Sequence, residues 1–370
     1  MTNHPRTLLV LLDGRGLSTY PAVYQTAAEL KRRGIGVTLL TGASCDDPDL
    51  RQHFDDIVVR RTRGPGEAAS CVQFIARHEA KCVVAFEPSD AFKCALAAPL
   101  RRDRCNVYFN LEVYEPTSGR NDLRNLAGRC KKRLERFFVE NCAAMVIQDD
   151  LRKRLSRRFG ISHECTFLIP NSYTARDISP ADAPAGKAVS LLYPGSVEQW
   201  SIGSLVSRLP ALLTQNMRLT FSGWSRDGYI DTVRRTLASC PGVTFAEQKL
   251  TTAEYDCLVD SHDIGLIWYD TLSDNVTNIG RSSGKFFKFL SRCKPVIVRD
   301  LPGLADDVRQ FGLGVVIADL GELPAAVATI SDNYRAYTHR IADVYRSVFD
   351  FSVASRPFFD WLQHRLFSGT

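Results

Sequence analysis

Leu8-Leu-Val-Leu-Leu-Asp13-Gly-Arg-Gly16, then an amphipathic helical pattern over 20–33, then Val37-Thr-Leu-Leu-Thr41, reads as strand, glycine turn, helix and strand. The first run is apolar at every position rather than at alternate ones. That marks a strand covered on both faces, which belongs in a parallel sheet with helices above and below it. Similar apolar runs recur at 57–59, 82–86, 106–110 and 143–148, separated by polar or helical segments. Residues 1–172 are therefore expected to form one Rossmann-like, doubly wound α/β domain.

From 172 to 186 the chain turns to Pro, Ala, Ser and Asp with little periodicity, including Pro180, Pro184 and Gly186, and reads as a linker. The apolar runs then restart at 189–193, 217–222, 243–245, 264–268, 295–298 and 314–317, giving a second Rossmann-like domain over 187–350. The segment 351–370 carries aromatic residues at helical spacing and is expected to pack back across the linker. Two domains also follow from size, since 370 residues with 45% hydrophobic content exceed what one core usually holds. Tandem domains of this kind bind ligand in the cleft between them, beyond the carboxyl ends of the strands.

No apolar run approaches the roughly 18 residues needed to span a bilayer, and 8–12 is too short for a signal-peptide core, so a cytoplasmic location is expected. The eleven cysteines include no Cys-x-x-Cys pair, and the seven histidines form neither His-x-His nor His-Glu-x-x-His. Reduced thiols and no metal site are the expectations.

The net charge of +6 lies in the first half: residues 1–184 hold 28 basic and 22 acidic side chains, residues 185–370 hold 19 of each. Arg129, Lys131, Lys132, Arg133 and Arg136 form one basic group, and Arg152, Lys153, Arg154, Arg157 and Arg158 another. They are either solvated helix faces or a surface for an anionic membrane or acceptor. No aromatic residues interleave them, which argues against nucleic acid.

In the second half, Asn278-Ile-Gly-Arg-Ser-Ser-Gly-Lys-Phe-Phe-Lys288 sets Arg281, Lys285 and Lys288 around the start of a helix. Helix amides there already carry about half a positive charge, so added cations need a negative partner. Gly280 and Gly284 allow a tight turn, and the hydroxyls of Ser282 and Ser283 can cap the helix or meet an anion. Gly14-Arg-Gly16 and Tyr193-Pro-Gly195-Ser196 occupy strand-to-helix corners where a phosphate meets backbone amides. Position 19 is Thr, so the third glycine of a dinucleotide fingerprint is missing. Asp47-Pro-Asp49 spells a metal-binding Asp-x-Asp but suits a helix start better. Glu112, just beyond the run 106–110, is a carboxylate that could bind a sugar hydroxyl or take a proton.

The stretch Gly284-Lys-Phe-Phe-Lys-Phe-Leu-Ser-Arg-Cys-Lys-Pro-Val-Ile-Val-Arg-Asp-Leu-Pro-Gly303 resembles the nucleotide-sugar glycosyltransferases of the GT-B fold, the retaining family four in particular. The glycine turn at 14–16, Arg32-Arg-Gly34, Ile169-Pro-Asn-Ser172 and Tyr193-Pro-Gly-Ser196 fit the same pattern in the same order. The resemblance implies transfer of a sugar from a nucleotide diphosphate to a saccharide or lipid-linked acceptor, retaining and metal-independent. A UDP-sugar is favoured over a GDP-sugar, and peripheral contact with an anionic membrane is one expectation. It implies that the backbone around Gln248 and Leu250 meets the base and that Trp268 and Tyr269 border the donor. Two glutamates that the family often carries fall here on Gly280 and Lys288, and an arginine and lysine usual early in the second domain are replaced by Gly195-Ser-Val-Glu-Gln-Trp200. Arg281 and Lys285 are therefore expected to take over the diphosphate, with Glu112 as the remaining catalytic candidate, Gly16, Gly195, Ser196, Ser282, Ser283 and Gly284 on the donor, and Lys288 extending the basic stripe. The alternatives are a sugar-nucleotide epimerase of the same fold, for which Glu112 lacks a clear acid/base partner, and a non-catalytic nucleotide-sugar-binding subunit.

Overall fold

The protein is described by a computed structural model over residues 5–12, 14, 16–60, 65–101, 103–113, 123–175, 178–180, 188–225, 228–246, 250–270 and 273–367. The chain divides into two compact units, residues 1–171 with 354–370, and residues 172–353.

The first unit runs β1 (Arg6–Leu11), α1 (Pro21–Arg32), β2 (Gly36–Thr41), α2 (Pro48–Arg51), β3 (Asp56–Val59), α3 (Pro65–Arg77), β4 (Cys82–Ala85), α4 (Pro88–Ala97), β5 (Cys105–Phe109), α5 (Leu123–Glu140), β6 (Ala144–Ile147), α6 (Asp150–Arg158) and β7 (Thr166–Leu168). Its seven strands are parallel, in the order β3-β2-β1-β4-β5-β6-β7. The order reverses between β1 and β4, and such a switch point opens a crevice at the carboxyl ends of the strands. Leu8 to Leu11 are all fully buried, as an uninterrupted apolar run requires. One face of the sheet, with Leu8, Val10, Val83, Tyr108 and Met145, packs on Ile75, Cys94 and Phe138 of the helices.

The second unit runs β8 (Val189–Ser196), α7 (Gln199–Leu212), β9 (Met217–Trp224), α8 (Tyr229–Thr236), β10 (Val243–Phe245), α9 (Thr252–Asp260), β11 (Ile264–Ile267), α10 (Asp274–Thr277), α11 (Gly284–Leu290), β12 (Val296–Arg299), α12 (Leu304–Phe311), β13 (Gly314–Ile317), α13 (Leu323–Asp332) and α14 (Tyr334–Val344). Six parallel strands take the order β10-β9-β8-β11-β12-β13, with the switch point between β8 and β11. Leu191, Phe221, Leu266 and Ile297 fill one side with α7, α8 and α13, and Leu192, Ile267, Val296 and Val298 fill the other with α11, α12 and α14. After α15 (Phe351–Ala354), α16 (Arg356–Phe367) belongs to the first unit, where Phe358 and Trp361 pack on Phe167 and Asp360 pairs with Arg33 at 2.7 Å.

Two sequence expectations are corrected. The edge strand β7 was not anticipated, because three residues are too few to show a period. The beginning of the expected linker is built into the second unit: Ile178 is buried in its core, Tyr173 exchanges hydrogen bonds with the Tyr345 hydroxyl, and the Ala175 amide donates to Asp350 at 2.6 Å. Low periodicity there reflects irregular backbone tied down by side chains.

Candidate functional site

At the switch point of the second sheet, Tyr193 lies on β8 and Tyr269 follows β11. Between them stands Lys285, in the first turn of α11. Its ammonium lies 4.5 Å from the centroid of the Tyr193 ring and 4.0 Å from that of Tyr269, and it donates to the Tyr193 hydroxyl at 3.4 Å. Among the described residues no carboxylate lies within ion-pair distance of it, and desolvation lowers its pKa to about 7. Burial pushes the Tyr193 hydroxyl up, so that group stays protonated and able to donate.

The surroundings hold this corner in place. Gly265 of β11 has no side chain, and a Cβ there would sit 2.4 Å from the Phe289 ring, so α11 packs closer to the strand than any other residue would allow. Asp270 accepts from the Ser204 amide at 2.6 Å and from Trp268 Nε1 at 2.7 Å, while Arg299 donates to the carbonyls of Tyr269 and Asp270. Tyr269 is thus fixed on both sides, and its hydroxyl meets that of Ser283 at 3.2 Å. Gly195, at the end of β8, adopts φ 108° and is the register partner of Gly223. A Cβ on Gly223 would lie 1.7 Å from the Gly195 carbonyl oxygen, whereas the space over Gly195 itself is open. Ser196, half-buried beside it, closes the strand.

The other expected donor residues are distributed differently. Arg281 lies in a 3-10 turn before α11 and forms a two-pronged ion pair with Asp307 of α12, at 2.9 and 2.8 Å. Its guanidinium also lies 5.3 Å from the Phe349 ring centroid. It braces α11 against α12 and is not the unneutralised cation that the sequence suggested. Lys288 is corrected outright. It is buried against Asp256, with the Tyr173 and Tyr255 rings 4.6 and 5.4 Å from its nitrogen, and so extends no basic stripe. Three residues beyond Lys285 the side chain points about 60° away round the helix, and there it meets Asp256 and Tyr255 of α9 rather than the Tyr193–Tyr269 corner. Ser282 donates to the Ile279 carbonyl, and Ser283 occupies the N-cap position before Gly284 but turns its hydroxyl to Tyr269. Leu250 is half-buried ahead of the Thr251 cap of α9. Gln248 lies outside the described residues. Trp268 is buried packing, with Arg299 5.1 Å from its ring centroid.

In the first unit, Gly16 precedes a 3-10 turn and its carbonyl accepts from both the amide and the hydroxyl of Thr19. Asp47 accepts from the Asp49 amide at 3.0 Å and caps α2, which accounts for the Asp-Pro-Asp motif. Glu112 is exposed beyond β5. Near it the buried Arg152 donates to the Leu111 carbonyl at 3.1 Å; burial lowers its pKa, countered by Glu112, Asp149 and Glu87. Asp90 accepts from the Leu12 amide at 3.1 Å. The basic groups are split: Lys132 pairs with Glu135 in the interior and Arg152 is enclosed, while Arg129, Lys131, Arg133, Arg136, Arg154, Arg157 and Arg158 are exposed.

Sequence reasoning read Tyr193 only as part of a glycine corner and gave Tyr269 a border role, missing the pair. The signal was present, since each aromatic residue sits at the end of an apolar run flanking the reversal of strand order. Among the described residues no three His, Cys, Asp or Glu side chains converge in a metal-binding arrangement. The corner offers one desolvated ammonium, the hydroxyls of Tyr193, Tyr269 and Ser283, and open backbone at Gly195, a set suited to an anionic oxygen ligand.

No protein-family model and no curated protein matches the chain. Solved structures do match. HepE of Anabaena, in complex with UDP and glucose, is 15% identical over 97% of this chain and 100% of its own, with a TM-score of 0.75. A glycosyltransferase of Rickettsia africae is 12% identical over 100% of both chains, also at 0.75. A candidate UDP-N-acetylglucosamine 2-epimerase of Listeria monocytogenes is 10% identical over 99% of this chain and 98% of its own, at 0.61. Identities this low establish the fold, which is that of the GT-B glycosyltransferases; they do not establish membership of family four.

Proposed function

We propose that the chain is a glycosyltransferase that moves a sugar from a nucleoside diphosphate to an acceptor hydroxyl, with retention of configuration and without a metal ion. The observation that carries this reading is Lys285, an ammonium lodged between Tyr193 and Tyr269 at the strand-order reversal of the second unit, with no carboxylate partner among the described residues. A diphosphate oxygen supplies the missing charge. As the sugar departs, negative charge builds on that oxygen, and a preorganised cation and hydroxyl at this desolvated corner stabilise it with little rearrangement. Each charge-assisted bond there contributes about 1.5–3 kcal/mol. Arg281 acts indirectly, holding α11 through Asp307. Glu112 of the first unit is proposed to meet a sugar hydroxyl.

UDP is the first nucleotide to test, given the UDP and glucose bound to the Anabaena protein. The acceptor is proposed to be a saccharide or lipid-linked saccharide. The exposed cations of α5 and α6, with exposed Phe137 among them, are proposed to rest on anionic lipid. No helix among the described residues is long and apolar enough to cross a membrane. Sedimentation with anionic and neutral liposomes tests the contact, and equal binding to both removes it.

Because the same fold also appears in a candidate epimerase, the reaction must be decided by experiment. The protein is incubated with UDP-sugars, with and without acceptor saccharides, and UDP release is measured. Acceptor-dependent release supports transfer. Conversion of the sugar without release makes the chain an epimerase, and binding with neither makes it a binding subunit.

A further inference from the structure

Cys82 opens β4 and Cys105 opens β5, and the two are register partners in the parallel ladder. Register partners project from the same face of a sheet, and a strand spacing of about 4.8 Å falls within the Cα separation of about 4.4–6.8 Å that a disulfide spans. The pair is asymmetric. Cys82 is fully buried and flanked on its other side by Thr7 of β1, whereas Cys105 is partly exposed. The two thiols act on each other, and their interaction raises the Cys82 thiol, with burial adding to the rise, and lowers that of Cys105. Arg365 of α16 adds positive charge on the Cys105 side. Buried Cys94 and Cys142 have thiols pushed up by burial, and Cys165, near Arg365, is likewise raised.

We propose that Cys82 and Cys105 form a thiol-oxidation site, at which a hydroperoxide converts the pair into an intrachain disulfide that thiol reductants reverse. The partly exposed Cys105 sulfur attacks the peroxide as its thiolate, the O–O bond breaks, and the leaving oxygen takes a proton to give an alcohol or water. Cys105 is then a sulfenic acid. The Cys82 sulfur attacks it, the S–O bond breaks, and the hydroxyl leaves as water with the Cys82 proton. The peroxide is reduced by two electrons and the dithiol is oxidised by two. Parallel Cβ atoms at the strand spacing lie wider apart than the mean of about 3.8 Å in disulfides, so forming the bond draws the strand ends together and keeps it reducible. Both residues stand first in their strands, where the ladder can adjust.

The test oxidises the full-length chain with hydrogen peroxide, blocks residual thiols with N-ethylmaleimide, digests it and maps the linked peptides by mass spectrometry. A Cys82–Cys105 cross-link is expected in the wild type, removed by dithiothreitol, absent from C82A and C105S, and retained in C165S. In C82A, Cys105 should proceed to sulfinic acid. If wild-type Cys105 instead accumulates as sulfinic acid while Cys82 is still alkylated on unfolding, or if Cys105 links to another cysteine, the proposal is overturned. The wild-type map alone decides the matter, so a poorly folding variant does not leave it open.

Discussion

The Lys285 ammonium lies 4.0 Å from the centre of the Tyr269 ring and donates to the Tyr193 hydroxyl, which is the only hydrogen bond it makes among the described residues. Two aromatic faces attract a cation but solvate it less well than water does, so the charged form is retained at a cost. An anion reaching the proposed site would meet a charge that no carboxylate among the described residues neutralises.

Replacing Lys285 by glutamine should therefore weaken UDP-sugar binding about 10- to 100-fold, the loss of one charge-assisted bond of about 1.4–2.8 kcal/mol. Titration calorimetry against UDP reads the loss, and the thermal midpoint should hold or rise because a desolvated charge has been removed. Unchanged UDP affinity in this variant would sink the proposed site.

Lys285 also fixes a pH dependence. Its pKa is 10.5 as a free lysine and about 7 in the fold, so between these values the unfolded chain holds a proton that the folded chain lacks, and stability rises with pH across that window. Donor affinity runs the opposite way. A diphosphate selects the protonated form, so binding should weaken as pH climbs above about 7, with proton uptake visible as a buffer-dependent calorimetric enthalpy. Both trends should disappear in Lys285→Gln.

Arg281 and Asp307 should behave as a brace. Arg281→Ala leaves the nearly buried Asp307 carboxylate without its bidentate partner and should destabilise the second unit by about 1.5–3 kcal/mol. Arg281→Lys should restore little of this, since an ammonium cannot reproduce the fork. Chemical denaturation measures the stability, and UDP titration of the folded protein should show a smaller loss than in Lys285→Gln.

Lys288 separates structure from binding in the other direction. Lys288→Met leaves the Asp256 carboxylate, about a third exposed, without its ion pair and should cost about 1–3 kcal/mol. The double variant Lys288→Met, Asp256→Leu should recover most of it. UDP affinity of the folded double variant should match the wild type.

Much of the architecture was legible because the strands are buried on both faces and announce themselves as unbroken apolar runs, β1 and β11 most plainly. β7 was hidden because an edge strand of three residues has no period to read. The site was legible in composition but not in pairing. A cluster of Arg281, Lys285 and Lys288 looks uniformly available in sequence, yet the acids that claim two of them, Asp307 and Asp256, lie 26 and 32 positions away and are brought close only by the packing of α11 against α12 and α9. Lys132 was hidden for a different reason, since its acid Glu135 is only three residues away and what the sequence does not show is that both are buried, whereas Arg152 reaches back 41 positions to the Leu111 carbonyl.

Phe289 and Lys285 are four residues apart and share one side of α11, so the ring that rests on Gly265 sets how high the ammonium rides above the sheet. One extra methyl at position 265 would jack up that end of the helix and carry the lysine off its tyrosines. Binding at the proposed site would thus depend partly on a hydrogen atom on the floor of the second unit, beneath the residues that would meet the diphosphate.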